Sequence, residues 1–181
     1  MGNSPLDHTD PLGLYGSVIS QIRVISYNDN GIKTTNNIRD VMKSIALNPN
    51  VSIIRDFTFA TIIYSQSDTG QQPKETPPNM KPLIDDRGHI VPKALGGDGS
   101  INNLFAQNKG KNRGVWRIYE KKVKDYLDDN QPPKCPAINL IYNISLDYTP
   151  RDYFFPLRPN SVQGAATFSD GNIIFGNADN P

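Results

Sequence analysis

The residues of this chain that are best suited to chemistry lie between Asp85 and Tyr126. His89 is one of two histidines in the sequence, and a neutral imidazole can deprotonate water near neutral pH. Arg87 precedes it by two residues, so both side chains would share one face of a strand, where a guanidinium can bind phosphate. The alternative for His89 is an ordinary core or surface histidine. The pair predicts a base beside an anion-binding cation, as phosphodiester hydrolysis requires.

A second group of residues follows, in a segment whose pattern predicts a helix. Asn112, Trp116 and Glu120 are spaced by four, so they would stack on one helical face. The amide oxygen of Asn112 could bind a hard cation, which would keep most of its waters and act as a Lewis acid. Each residue also has an ordinary structural interpretation: a helix N-terminal residue for Asn112, a core residue for Trp116 and a solvated helix face for Glu120.

The same segment is strongly basic. Seven Lys or Arg residues and one Glu lie between Lys109 and Lys124, in a chain whose formal net charge is only +1. Such a segment can follow a phosphate backbone, although a solvated helix face would give the same pattern. The candidate nucleic-acid contacts are Lys109, Lys111, Arg113 and Arg117, with Trp116 as a candidate stacking ring.

The scarcity of nitrogen and sulfur ligands restricts the metals that this chain could bind. Cys135 is its only cysteine, so an internal disulfide and a multi-thiolate zinc site are both excluded. Oxygen ligands would have to dominate, which favours magnesium or another hard divalent cation such as manganese. A glycosidase is disfavoured because Asp85 and Asp86 would point to opposite faces of a strand, and a protease because no nucleophile motif is present.

The elements that must position these residues are predicted from periodicity and turn signals. The pattern predicts the following elements: a strand over Gly16–Tyr27, a turn over Asn28–Gly31, a helix over Thr34–Leu47 capped by Thr34 or Thr35, a strand or hairpin over Val51–Gln66, a loop over 67–80, a strand over Ala137–Tyr148, and a hairpin over Val162–Phe175 with an Asp170-Gly171 turn. The apolar positions are Val18, Ile22 and Val24 in the first strand, and Ile53, Phe57, Phe59 and Ile63 in the next. We expect an α+β fold in which an antiparallel sheet from both ends of the chain flanks the central unit.

The first fourteen residues contain a specific motif. Asp10-Pro11-Leu12-Gly13-Leu14 resembles the conserved end of the Rhs (YD-repeat) core, where a repeat shell is cut to release a variable C-terminal toxin. The resemblance implies that residues 1–14 are the end of such a core, with Asp10, Pro11, Gly13 and Leu14 as the cleavage motif. Residues 15–181 would then be the toxin domain. The alternative from composition is a disordered leader.

The central stretch resembles a second family. Asp86-Arg87-Gly88-His89, then Asn103 to Asn108, then Asn112 to Glu120 closely match the motif of the DNA/RNA non-specific endonucleases, which are ββα-metal (His-Me finger) nucleases. The resemblance implies a ββα-metal core packed with an antiparallel sheet. It also implies magnesium dependence, cleavage of both DNA and RNA, and products with 5′-phosphates.

The family motif also implies a role for each matched residue. His89 would be the general base, Asn112 the direct metal ligand, Glu120 the group that orients metal-bound water, Arg87 a phosphate ligand, Asn103 and Gln107 braces of the site, and Asp86 a carboxylate behind the metal ligands. Two departures stand out. Ala106 lies where the family usually has proline. The arginine that members often add from an upstream strand has no clear counterpart, Arg55 being the nearest candidate.

We therefore predict a metal-dependent, sequence-non-specific nuclease that acts as the toxic tip of an Rhs-type toxin in the cytoplasm of a target cell. The sequence has no apolar run of transmembrane length and no signal-peptide pattern, so the repeat shell would supply delivery. The toxin class also implies a cognate immunity protein. Two alternatives stay open: an RNA-restricted ββα nuclease, and a nucleic-acid-binding module with a degenerate site. The second is disfavoured because His89, Asn112 and Glu120 are all present at family spacing.

Overall fold

The computed structural model describes residues 17–64, 70–130 and 138–181. The elements run β1 (Val18–Asn28), β2 (Ile32–Thr35), α1 (Ile38–Leu47), β3 (Ser52–Ile63), β4 (Asp85–His89), β5 (Leu104–Asn108), α2 (Lys109–Lys111), α3 (Arg117–Asp129), β6 (Asn139–Asp147), β7 (Ser161–Phe168) and β8 (Ile173–Asp179). Single 3-10 turns lie at Lys93–Leu95 and Ile101–Asn103, and a π-turn at Asn112–Trp116 joins α2 to α3. The predicted cleavage motif at Asp10 to Leu14 falls outside the described residues.

The strands form two antiparallel sheets. The larger has six strands in the order β2-β1-β3-β6-β7-β8, and the smaller pairs β4 with β5. Strands from both ends of the chain therefore build one sheet, and the hairpin and helix between β3 and β6 form a separate strand–strand–helix unit. The predicted α+β class, with a ββα core packed on an antiparallel sheet, is confirmed. None of the described helices is both long and apolar enough to cross a membrane.

Ile22, Val24 and Phe59, three of the apolar positions named in β1 and β3, do not face the core. Ile22 is 58% exposed and Phe59 is 40% exposed, whereas Arg23 and Asp56 are buried. The guanidinium of Arg23 donates two hydrogen bonds to the Asp56 carboxylate, at 3.0 and 2.7 Å. A charge paired in this way can be buried, so the face with the ionic residues points inward.

A register shift in β3 explains why alternation fails there. Ser26 pairs with Arg55 but Tyr27 pairs with Ile53, so Ile54 is an extra residue without a partner on β1. Such a bulge reverses which residues face inward. Ile53 is buried before the shift, and Thr58, Ala60 and Ile62 are buried after it.

The first helix starts four residues later than Thr34, where it was predicted to begin. Ile32–Thr35 instead pairs with β1 as a short edge strand, and the cap is Asn37, whose side chain accepts a hydrogen bond from the backbone N–H of Arg39. The predicted end, at Leu47 before Asn48-Pro49, agrees with the structure. The turn at Asn28–Gly31 and the closing hairpin with its Asp170-Gly171 turn are also confirmed.

Helix α3 is fixed to the sheet by an aromatic ring seated on two glycines. Gly164 of β7 and Gly176 of β8 are directly paired across the strands. A side chain at either position would collide with Tyr119, so the pair leaves the space that this ring fills. Tyr119 is 4% exposed and lies with its centroid 6.1 Å from that of Tyr142. Because Glu120 follows directly, this packing also sets the position of a predicted site residue.

The small sheet is tied to the large one by a buried ion pair. Arg158, in the loop before β7, donates to both carboxylate oxygens of Asp85, at 2.8 and 2.7 Å, and also to the backbone carbonyl of Asn180 at 2.6 Å. The Asn180 side chain in turn donates to the backbone carbonyl of Ala106 in β5 at 3.0 Å. These contacts hold the β4–β5 hairpin against the end of β8.

Candidate active site

Seven of the predicted site residues line one pocket of about 490 Å³ between β4, the π-turn and the start of α3, whereas Asn103 and Gln107 lie outside its lining. The predicted residues on its wall are Asp86, Arg87, His89, Asn112, Arg113, Arg117 and Glu120. Residues separated by more than thirty positions in sequence thus meet in one cavity. Gln72, Pro73 and the turn from Pro92 to Ala94 complete the lining.

His89 ends strand β4, and its ring is oriented by a backbone carbonyl. The Nε2 atom lies 2.9 Å from the carbonyl oxygen of Gln71. A carbonyl can only accept a hydrogen bond, so Nε2 must carry the proton of the neutral ring. The lone pair is then on Nδ1, which is free to accept a proton.

The environment of His89 also favours its neutral form. Burial lowers the pKa of His89 below its ordinary value of 6.5, and the positive charge of Lys93 acts in the same direction. The Gln71 carbonyl and the Asp98 carboxylate oppose this shift without reversing it. At neutral pH the imidazole is therefore in the state that a general base requires.

The carbonyl that orients His89 is carried by a segment, residues 70–75, that lies along a glycine-rich loop. Three backbone hydrogen bonds join them: Gly70 N–H to Lys93 O at 2.7 Å, Gln71 N–H to Gly97 O at 2.9 Å, and Lys74 N–H to Gly99 O at 2.9 Å. A side chain at Gly70 would strike the Gly97 carbonyl, and one at Gly99 would strike the Gln72 carbonyl. The glycines therefore permit the close approach that places Gln71.

Asn103 is buried against this loop. It is 1% exposed. Its side chain accepts from Val91 N–H at 2.9 Å and donates to Val91 O at 3.1 Å and to Asp98 O at 2.8 Å. These bonds fix the chain immediately after His89 to the turn that precedes β5.

Gln107 is also buried, but it makes a different contact. It is fully inaccessible, and its side chain packs against Gly88. Within the described residues neither atom of its amide has a hydrogen-bond partner. Its support for β4 is therefore steric.

The predicted continuous helix over Asn112, Trp116 and Glu120 is wrong. Gly114 has φ −104° and ψ −111°, which breaks the helix between α2 and α3. Asn112 and Glu120 nevertheless line the same pocket, whereas Trp116 is 0% exposed and its ring lies 4.9 Å from that of Tyr119. Because the helix breaks at Gly114, the three residues do not share one face: Asn112 and Glu120 lie at the pocket and Trp116 lies in the core.

The prediction that Trp116 contacts nucleic acid is therefore corrected. An indole with no accessible surface cannot stack on a base, because stacking requires an open ring face. Its physical role here is to fill the core between α3 and the sheet.

Asp86 connects the two halves of the site. Its carboxylate accepts two hydrogen bonds from the Arg113 guanidinium, at 2.7 and 3.0 Å, and a longer one from the Asn112 amide nitrogen at 3.4 Å. When the amide nitrogen of Asn112 faces Asp86, its carbonyl oxygen is left available to a cation. Asp86 thus contacts both Asn112 and Arg113 at the wall of the pocket.

Glu120 is a carboxylate in an apolar environment. Burial raises its pKa from 4.5 to about 7, while the indole of Trp116 and the guanidinium of Arg117 act in the opposite direction. A carboxylate held at this point of its titration is stabilised in its ionised form by any cation that comes close. A positive charge close to Glu120 would therefore shift this carboxyl group towards its ionised form.

The basic residues divide into those at the pocket and those elsewhere. Arg113 and Arg117 line the pocket, but Lys109 and Lys111 do not. Lys109 donates instead to the backbone carbonyl of Leu83 at 3.3 Å. Lys93 lines the pocket and was missed, because a lysine in a Pro-Lys-Ala-Leu turn has no recognisable sequence signal.

Arg55 does not contribute to the site. It is exposed on β3, and its guanidinium lies over the Phe57 ring at 5.3 Å, outside the pocket lining. Arg55, the nearest candidate for the upstream cation, therefore does not fill that role, because it is not among the residues that line the pocket.

The donor set of the pocket fits a hard cation. Asn112, Glu120 and Asp86 offer oxygen atoms, and among the described residues there is no cluster of three or more His, Cys, Asp or Glu side chains. A small number of oxygen donors suits an ion that keeps most of its water shell, as magnesium does.

The strand–strand–helix unit around this pocket defines the class of the protein as a ββα nuclease. Over residues 58–153 the sequence matches the family model described as DNA/RNA non-specific endonuclease. The match spans more than half of the chain, and the chain belongs to this family of nucleic-acid hydrolases.

Individual relatives are more distant. A probable deoxyribonuclease RhsA of Dickeya dadantii (strain 3937) is 41% identical over 61 residues, which are 34% of this chain and only 4% of that protein. The Sda1 nuclease, solved with a bound zinc ion, is 20% identical with a TM-score of 0.47, covering 95% of this chain and 72% of its own. An extracellular nuclease is 16% identical with a TM-score of 0.41, covering 69% and 76%.

Proposed function

We propose that residues 15–181 form a metal-dependent, sequence-non-specific endonuclease that hydrolyses DNA and RNA with His89 as general base. The observation that carries the proposal is the 2.9 Å contact between His89 Nε2 and the Gln71 carbonyl. It leaves Nδ1 unprotonated at the wall of a pocket that also contains Arg87, Asn112 and Glu120. Family membership supports the same activity.

The pocket residues divide the work of phosphodiester hydrolysis. His89 Nδ1 takes a proton from the attacking water, and Arg87, on the same face of β4, binds the non-bridging phosphate oxygens. Asn112 would hold a divalent cation directly and Glu120 would hold it through water. Magnesium or manganese there would supply Lewis-acid stabilisation of the phosphate and the leaving oxygen. Cleavage at the 3′ oxygen leaves 5′-phosphate ends.

Asp86 and Arg113 position this machinery. The bidentate Arg113–Asp86 pair holds the carboxylate against the Asn112 amide, so the amide oxygen is turned away from it. Arg117, the first residue of α3, also lines the pocket. It is suited to the phosphate adjoining the cleaved bond.

We further propose that the domain is the toxic tip of an Rhs-type toxin. The Asp10 to Leu14 motif and the partial match to a protein named RhsA support this context. In this scheme the Rhs shell is cut after residue 14, the nuclease domain acts in the cytoplasm of a target cell, and an immunity protein protects the producing cell. Because that relative is named a probable deoxyribonuclease, DNA is favoured as one substrate.

Degradation of supercoiled plasmid by the purified protein tests the proposal. With magnesium the plasmid should be nicked and then degraded, and with EDTA it should stay intact. Total RNA in a parallel reaction tests whether the sugar matters. An intact plasmid with a folded, inhibitor-free sample would contradict the DNase activity, and cleavage of RNA alone would favour the RNA-restricted alternative.

A further inference from the structure

The charge that develops on phosphate during hydrolysis must be neutralised from more than one direction, and none of the described residues of β1 and β3 brings a cation to the pocket. On β1, Arg23 is 4% exposed and fully engaged by Asp56 and by the carbonyl of Asn102. On β3, Arg55 is exposed and lies over Phe57. The cations that reach the pocket come from the ββα unit itself: Arg87, Lys93, Arg113 and Arg117.

These four cations are not equally available. The guanidinium of Arg113 is held by two hydrogen bonds to Asp86, and Arg117 lies on the helix side, where its charge acts on Glu120. For Lys93, no carboxylate oxygen of the described residues lies within 4.0 Å of the ammonium. Its charge acts instead on His89. Like Arg87 and Arg117, Lys93 is therefore a pocket cation without a carboxylate partner among the described residues, and its charge acts on the base.

The backbone of Lys93 is firmly placed. It begins the 3-10 turn after Pro92, and its carbonyl accepts hydrogen bonds from Gly70 N–H at 2.7 Å and Gly96 N–H at 3.0 Å. The first of these bonds belongs to the segment that carries the Gln71 carbonyl to His89. One turn thus carries Lys93 and is bonded to the segment that orients the base, so the backbone positions of the two residues are linked before substrate binds.

We propose that Lys93 is a catalytic residue whose ammonium binds a non-bridging oxygen of the scissile phosphate opposite Arg87 and stabilises its charge in the transition state. The inference rests on the proposed nuclease function. It assigns to the turn after the histidine strand the cation that β1 and β3 do not provide.

Two substrates of different size test this role. The parent chain, Lys93→Met, Lys93→Gln and Lys93→Arg would be assayed with magnesium on supercoiled plasmid and on a thymidine 5′-phosphate p-nitrophenyl ester, which contains a single phosphodiester. A cation on the scissile phosphate should lower kcat about 10²-fold on both substrates in the Met and Gln variants, with little change in KM. Lys93→Arg should recover most of the rate because it keeps the charge.

Lys43→Met, on the exposed face of α1, is the matched control and should cleave both substrates at the parent rate. Melting temperatures would show that each variant is folded, and either neutral variant suffices if the other is not. A loss confined to the plasmid, expressed in KM, would overturn the proposal in favour of a flanking phosphate contact. Full activity of the neutral variants would also overturn it, with the nuclease function intact. Failure of the parent chain on both substrates would remove the proposed function and this role together.

Discussion

The Nε2 atom of His89 lies 2.9 Å from the carbonyl oxygen of Gln71, a residue eighteen positions earlier in the chain. This contact selects the tautomer in which Nδ1 can take a proton. It depends on the backbone bonds that join residues 70–75 to the Gly96–Gly99 loop. The base is thus prepared by residues that lie outside the motif containing the histidine.

His89→Ala should abolish plasmid cleavage while leaving DNA binding nearly intact. Loss of a general base costs typically 10² to 10⁴-fold in rate, whereas Arg87, Lys93 and Arg117 remain in the pocket to hold phosphate. Cleavage rates on gels and fluorescence anisotropy with a labelled oligonucleotide would measure the two effects. A variant that cuts as fast as the parent would show that His89 is not the base.

Asn112→Ala should lower magnesium affinity and activity together. It removes the amide oxygen proposed as the direct ligand, while the Asp86–Arg113 pair can remain. Titration of activity against magnesium should show a higher half-saturating concentration, and calorimetry without substrate should show weaker metal binding. Asn177→Ala, at an exposed position of β8, is the control. Unchanged metal binding in the Asn112 variant would remove this residue from the ligand set.

The ring of His89 should titrate below pH 6.5. Its pKa is lowered by burial, with Lys93 adding to the effect. The folded state therefore binds its proton less readily than the unfolded chain does. The resulting stability is present above pH 6.5 and is lost as the pH falls through the folded pKa.

Two-dimensional NMR of the metal-free protein would follow the titration, and the His89→Ala spectrum would identify the signal. The ¹⁵N shifts should place the proton of the neutral ring on Nε2. A pKa at or above 6.5, or a neutral ring protonated on Nδ1, would contradict the environment described for His89.

Arg158→Met should strongly destabilise the fold. Asp85 is only 5% exposed, and the substitution leaves its buried carboxylate without the arginine that binds both of its oxygens. Breaking a buried pair on one side typically costs about 3 to 5 kcal/mol. Lys121→Met breaks the exposed i,i+4 pair with Asp125 and should cost well under 1 kcal/mol. Urea unfolding would compare the two, and equal midpoints would show that the buried pair contributes little.

The sequence alone determined the class of the fold and most members of the pocket. Arg87 and His89 share a strand face because side chains two residues apart point the same way, and this relation is local. Asn112 and Glu120 were identified from the nuclease motif that also contains Arg87 and His89. Strands β6 to β8 were predicted from the alternation of apolar residues and from an Asp-Gly turn. In each case the signal lies within a few residues of the feature that it predicts.

Only the tertiary structure decided the remaining features, because they depend on partners that are distant in sequence. The buried faces of β1 and β3 follow from the Arg23–Asp56 pair and the bulge at Ile54, which reverse the simple hydrophobic pattern. Gly114 interrupts the predicted helix and sends Trp116 into the core. The Gln71 carbonyl reaches His89, and Lys93 reaches the pocket, through backbone hydrogen bonds that any residue type can make. Periodicity records which side chains are apolar, but it carries no trace of such bonds.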